Sequence, residues 1–180
     1  MRECGYCGRS IVRKNAHAVY CSDKCRNYAR RLKLRSPIPA RMLNSDRWIR
    51  YSPKKVPLKI NGHPASSTDP NTWSSHREAV ASRAGIGLGY VLGDGIGCID
   101  LDHCLIDGKP NDTATAYLET YTRHYIEISP SGDGLHIWGT AEPDHGTKRQ
   151  IDGLNIERYS TGRYITITGN VYQHGDLLPL

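Results

Sequence analysis

Phenylalanine is absent from the 180 residues, and methionine occurs only twice. An aromatic core must therefore come from 11 Tyr and three Trp, whose polar tips require hydrogen-bond partners when buried. Long apolar runs are missing as well. No stretch approaches the roughly 18 to 20 uninterrupted apolar residues that a membrane span needs, the mean hydropathy is −0.56, and a soluble protein with no membrane partner is expected. The opening residues Met1-Arg2-Glu3-Cys4-Gly5 reach a cysteine before any apolar run. No signal-peptide core is therefore expected, and a cytoplasmic location is the default. Disulfides are not expected there. The length leaves room for one ordinary domain and a small appendage, and excludes two large domains.

Acids are scarce at the front of the chain. Residues 1–50 hold 13 Lys/Arg against Glu3, Asp23 and Asp46, a net of +10, whereas residues 51–180 hold 11 against 15, a net of −4. A basic head of that density condenses on a polyanion by counterion release. Acids clustered in the body can serve a polyanionic substrate only through bound cations. Taken alone, the head also fits a solvated charged face.

Four of the six cysteines, Cys4, Cys7, Cys21 and Cys25, fall within the first 25 residues as C-x2-C-x13-C-x3-C. Reduced thiols at this spacing converge on a tetrahedral Zn²⁺, the first pair on a turn and the second at the start of a helix. Ser22 or Asp23 caps that helix, which is expected to run to Arg35 and to carry Arg26, Arg30, Arg31, Lys33 and Arg35, the candidate nucleic-acid contacts. So few apolar residues cannot fold alone, and metal binding supplies the folding free energy. Cys98 and Cys104 stand far off and read as packing residues.

Pro37 and Pro39 end the helix. The expected organisation is a zinc-binding basic module at 1–36, a linker at 37–45 and a body at 46–180. Prolines between Trp48 and Asn71 suit an edge strand or hairpin, and the span from Asp69 to Val80 reads as a capped helix. Residues 87–93 and 96–102 look like two strands joined in a hairpin at Asp94-Gly95. A helix is expected over 111–125, with Ala114, Tyr117, Leu118 and Tyr121 on one face. Strands follow at 125–129, 135–139 and, around Ser160-Thr161-Gly162, at 154–159 and 163–168. Hairpin strands with interspersed helices predict an α+β fold with a mixed or antiparallel sheet.

Asp100 and Asp102 stand at i and i+2 in an apolar strand, so both carboxylates share one face. Adjacent carboxylates repel, and Mg²⁺ or Mn²⁺ is the usual compensation; solvated acids at a strand end are the alternative. The turn containing Ser131, Gly132 and Gly134 offers backbone N–H groups to phosphate and leads into a strand that sets His136 beside it, though a plain hairpin turn has the same residues. Glu157 is a third acid within an apolar strand pattern. It either completes a carboxylate cluster or forms a surface ion pair, with Arg163 near enough in sequence to neutralise phosphate.

In this order, VLGDGIGCIDLDHC, SPSGDGLHIW, the later strand bearing Glu157 and the final GRYITITG resemble the three motifs of the archaeo-eukaryotic primase superfamily. The closest likeness within it is to the bifunctional primase-polymerase domain of phages and plasmids, over about residues 46–172. The head resembles small Cys4 modules of phage and actinobacterial DNA-associated proteins. The resemblance implies a primase-polymerase core at 46–180 that performs template-directed nucleotidyl transfer by a two-metal route. Asp100, Asp102 and Glu157 would then be the metal ligands. His136 would join Ser131, Gly132 and Gly134 in holding the incoming nucleotide, with Arg163 as a further phosphate contact. The implied partners are single-stranded or primed DNA, nucleoside triphosphates and a separate replicative helicase, in the host-cell cytoplasm for a phage-borne gene. Larger relatives continue into a helical segment, so gap filling or primer extension is the expectation for the residues present. Two other classes compete: a non-catalytic DNA-binding replication or regulatory module, and a metal-dependent phosphodiester hydrolase on the same acids.

Overall fold

The computed structural model describes residues 2–33 and 36–180, the side chains of 31–33 excepted. Helices α1 (Asp23–Lys33) and α2 (Ala40–Leu43) precede strands β1 (Trp48–Tyr51) and β2 (Pro57–Leu58). A 3₁₀ turn (Pro70–Thr72), α3 (His76–Ala81), β3 (Gly87–Val91), β4 (Ile96–Asp102) and the short pair β5 (Leu105–Ile106) and β6 (Lys109–Pro110) follow. Helix α4 (Asp112–Leu118) passes into a second 3₁₀ turn (Glu119–Tyr121). The remaining strands are β7 (Tyr125–Ile128), β8 (Leu135–Thr140), β9 (Thr147–Ile151), β10 (Leu154–Tyr159), β11 (Tyr164–Ile167), β12 (Val171–Gln173) and β13 (Leu178–Pro179).

Two sheets result. The smaller has the order β11-β3-β1-β2, and the larger β12-β7-β8-β4-β10-β9, with β13 added on β8. The β13–β8 pairing is parallel, whereas the other named strand pairs are antiparallel. The expected α+β class holds, with sheets that are almost wholly antiparallel.

Strand periodicity assigns the two faces of the large sheet. Ile99, Leu101, Ile126, Leu135, Ile137 and Ile156 form one apolar cluster with Ala114 of α4, against which Tyr117 and Leu118 pack. The opposite face contributes Cys98, Tyr125, Trp138 and Tyr159 to a second cluster with Trp48, Tyr90 and Ile165 of the small sheet. Edge-to-face rings run from one sheet to the other: Trp48 meets Tyr90 at 5.3 Å within the small sheet, and Tyr90 meets Trp138 of the large sheet at 6.0 Å between centroids. Each such contact contributes about 0.5–1.5 kcal/mol beyond area burial. The polar tips mostly find partners. Trp48 Nε1 donates to the Met42 carbonyl at 2.9 Å and Ser45 Oγ donates to Tyr90 OH at 2.9 Å, whereas Trp138 Nε1 is buried without one.

The two expected hairpins do not form. Strands β3 and β4 leave the Asp94-Gly95 turn for different sheets after a single bridge, Gly93 to Ile96. Strand β3 is paired on both edges, with β1 and β11, and Arg47 adds to the separation. Its Nε and Nη2 bind the Val91 and Leu92 carbonyls, both at 2.7 Å, and Nη1 binds Asp94 at 3.0 Å. The guanidinium thereby uses acceptors that a continued ladder would need. Strands β10 and β11 likewise part around Ser160–Gly162, one into each sheet. Asp69 caps only the 3₁₀ turn, and α3 starts at Ser75, whose side chain forms a capping box with Glu78. The helix after Asn111 ends at Leu118, shorter than expected.

The expected linker is segment 37–45. It contains α2, and Ile38 and Met42 belong to the core cluster between the sheets. The head is docked on the body: Glu3 pairs with Arg41 at 2.6 Å, and Asn44 Nδ2 donates to the Tyr6 carbonyl at 3.3 Å. Among the described residues, no helix is long and apolar enough to cross a membrane.

Candidate active site and metal centre

The antiparallel ladders align four side chains in one row across four adjacent strands. Glu157 of β10 is opposite Asp100 of β4, Asp100 is opposite His136 of β8, and His136 is opposite Glu127 of β7. Opposite residues share a face, here the face toward the small sheet. Asp102 stands two residues further along β4, opposite Asn155.

His136 is buried between two acids. Its Nε2 lies 3.7 Å from Asp100 Oδ1 and its Nδ1 lies 3.3 Å from Glu127 Oε1. Burial pushes the Asp100 carboxyl above its ordinary range; the His136 ring draws it back, Asp102 and Glu157 push it further up, and Lys55 offsets them in part. An acid in this state favours either a proton or a divalent cation.

Glu157 lies close by but is turned aside. Lys148 of β9 donates to its Oε1 and Tyr159 OH donates to Oε2 at 2.7 Å. Burial works against the Glu157 charge, yet these two bonds outweigh it, and its carboxyl lies below the usual range, with Arg163 adding attraction. The three acids are thus neighbours in register without being gathered around one point. Among the described residues, the group of three or more potential ligand atoms within 4.8 Å of one another is the cysteine set.

The turn after β7 closes through Ser129 N donating to the Gly134 carbonyl at 2.9 Å, and Gly132 sits at φ +85°. A Cβ on Gly134 would lie 2.7 Å from the Leu101 carbonyl, so only glycine lets the turn sit against the end of β4, beside Asp102. The Ser131 hydroxyl is used within the turn: it donates to Asp133, and its oxygen is 2.9 Å from Ser129 Oγ. His103 joins this network at 2.6 Å from Asp133, a bond that raises its pKa. The sequence reading gave His103 no role, and the structure links it to the turn. Arg163 is exposed elsewhere, 4.2 Å over the Tyr159 ring and beside Glu157.

In the head, Cys7, Cys21 and Cys25 place their sulfurs 3.4 to 3.8 Å apart, and Cys4 completes the cluster. A tetrahedron with bonds of about 2.3 Å requires sulfurs roughly 3.8 Å apart, so the four thiols can hold a metal ion. Burial disfavours the Cys4 thiolate, but N–H groups of Cys21, Cys7 and Tyr6 hold it down to about 7. Cys7 is pushed up to about 12, by burial first and then by the neighbouring sulfurs. Four thiolates cannot coexist here without a cation. Ser22 is the helix cap, accepting from Cys25 N at 3.2 Å. Arg26 is exposed and paired with Asp23 at 2.8 Å, and Arg30 is exposed. Arg31 and Lys33 lie in the last turns of α1, and Arg35 is outside the described residues.

Sequence reasoning missed Glu127, Lys148, Tyr159 and Lys55. Glu127 carried the same signal as Asp100, an acid between apolar strand residues. Lys148 lies on an entirely exposed strand, for which the one local sign was the Asp152-Gly153 turn, both residues at positive φ.

No family model matches the chain. It is 44% identical over 140 residues to a DNA primase-polymerase of Nitratiruptor phage NrS-1, an alignment that covers 72% of this chain and 19% of the relative. The chain thus spans about a fifth of that protein's length. That identity, over most of this chain's own length, supports a primase-polymerase domain of the phage type.

Proposed function

We propose that the domain is a metal-dependent nucleotidyltransferase that extends a DNA strand on a template, in phage or plasmid replication. The observation that carries the reading is the register of Glu157, Asp100 and His136 on one face of the large sheet, beside the turn bearing Ser131, Gly132 and Gly134. The donor set suits a hard divalent cation: oxygen ligands of Asp100, Asp102 and Glu157, with Asp100 pushed toward protonation when no cation offsets its neighbours. Bound Mg²⁺ or Mn²⁺ would supply charge neutralisation at the triphosphate and activation of the primer hydroxyl.

The chain's own groups do the positioning. Backbone N–H groups of the 131–134 turn face phosphate oxygens, His136 Nε2 faces the same space from the floor of the sheet, and Arg163 and Lys148 flank it with positive charge. Catalysis then rests on orientation and preorganised charge rather than on a covalent intermediate. Cys4, Cys7, Cys21 and Cys25 hold a structural Zn²⁺, and Arg26 and Arg30 of α1 face the template, joined in this reading by Arg31, Lys33 and Arg35. A separate helicase would open the duplex ahead of it, in the cytoplasm of the host cell.

A primed template incubated with Mn²⁺ and each dNTP or NTP tests the reading. Elongation of the primer supports it. Shortening would indicate a phosphodiester hydrolase on the same acids, and retention with no change in length would indicate a DNA-binding module.

A further inference from the structure

Glu127 is fully buried, at 0% exposure, and burying a carboxylate is costly unless its oxygens are satisfied. Donors surround it. Oε2 accepts from Gly169 N at 2.9 Å, from Thr168 N at 3.3 Å and from Tyr125 OH at 3.2 Å. The two N–H groups come from the turn that follows β11, where Gly169 has φ +67°, a backbone nest of the kind that holds anions. Thr168 Oγ1 ties that turn to β7 by donating to the Ile128 carbonyl at 2.7 Å. Against so many donors to Oε2, Oε1 has one partner, His136 Nδ1, at 3.3 Å.

We propose that Glu127 is a positioning residue: its buried carboxylate fixes the His136 ring as the Nδ1–H tautomer and so keeps Nε2 turned toward Asp100 and the substrate space. A carboxylate bound by three donors is an acceptor only, so Nδ1 must carry the proton in the contact between them. Trp138 lies edge-on to the ring at 6.3 Å and the side chain is buried, so the contact with Glu127 sets which nitrogen faces inward. Nε2 is then the one ring nitrogen available to a ligand.

Glu127→Gln makes the idea testable. The amide oxygen must take the Oε2 place, because two backbone N–H groups point there and cannot turn. The amide NH₂ is left facing Nδ1, which must become an acceptor, and the ring proton moves to Nε2. Shape is kept while the tautomer reverses, and the ligand-facing nitrogen changes from acceptor to donor.

The measurement is a two-bond ¹H–¹⁵N spectrum of the full chain labelled with ¹⁵N-histidine, recorded at a pH above which the ring signals no longer change. Of the eight histidines, His136 is identified by the signals lost in His136→Gln. The wild type is expected to show a protonated Nδ1 and a bare Nε2, and Glu127→Gln the reverse. A wild-type ring protonated on Nε2, or a folded Glu127→Gln with an unchanged ring, would overturn the proposal. Should Glu127→Gln fail to fold, the wild-type ring alone decides. The ring spectrum needs no activity, so its outcome stands apart from whether the domain polymerises.

Discussion

Glu157 stands directly opposite Asp100 in the β10–β4 ladder, yet its carboxylate is held by Lys148 and Tyr159 rather than facing Asp100 and Asp102. A cation ligated by all three acids must compete with the Lys148 ammonium for the same oxygen.

Lys148→Met removes that competitor. Apparent Mn²⁺ affinity should rise by up to about fivefold, the scale of one exposed ion pair. Titration of Mn²⁺ by calorimetry or by the electron paramagnetic signal of the free ion measures it. Weaker Mn²⁺ binding in the variant would mean that Lys148 helps to assemble the site.

The raised carboxyl of Asp100 gives stability a pH dependence of definite sign. Its folded-state pKa lies above the unfolded value, so the folded protein binds the extra proton more readily. The stabilisation from this group is complete below the unfolded pKa of about 3.9 and is lost as pH rises through the folded one. In metal-free protein, Asp100→Asn should therefore melt at a higher temperature than wild type at neutral pH, and the gain should shrink on acidification. Melting curves across that range check this; a variant less stable at neutral pH would show that the ring of His136, not repulsion, dominates at Asp100.

Removal of the metal from the cysteine cluster should unfold the head while leaving the two sheets intact. Four thiols become reactive toward a thiol reagent, and DNA affinity falls because α1 loses the scaffold that orders its basic residues. In the metal-bound protein, Arg30→Ala should lower the slope of log affinity against log salt by about 0.7 to 0.9 if that side chain meets a phosphate. An unchanged slope would assign α1 to a protein partner.

The acids and histidine of the candidate site were legible as polar residues on strands because strand periodicity is local: Asp100, Asp102, His136 and Glu157 each announce a polar side chain within an apolar strand. Their partners were less so. Lys148 sits on a strand without apolar alternation, and Glu127 differs from Asp100 only in what surrounds it in space. Sheet membership was illegible for the same reason. Asp94-Gly95 is a strong turn signal, but whether β3 and β4 stay paired beyond it depends on β1 and β11, which pair with both edges of β3, and on Arg47, 44 residues or more distant in sequence from the carbonyls it binds. Ile38 and Met42 read as linker residues beside two prolines, and their burial follows from packing against Trp48, Tyr90 and Trp138 between the sheets, a contact no local pattern records.

Templated incorporation is the most direct test of the central claim. Primed templates that differ only in the first unpaired base are offered each nucleotide singly with Mn²⁺, to wild type and to Asp102→Asn and Glu157→Gln. The account expects wild type to add the nucleotide complementary to that base, and each variant to lose at least about 100-fold of the rate while retaining the wild-type circular dichroism. Addition that ignores the template base, or full activity in either folded variant, would contradict it.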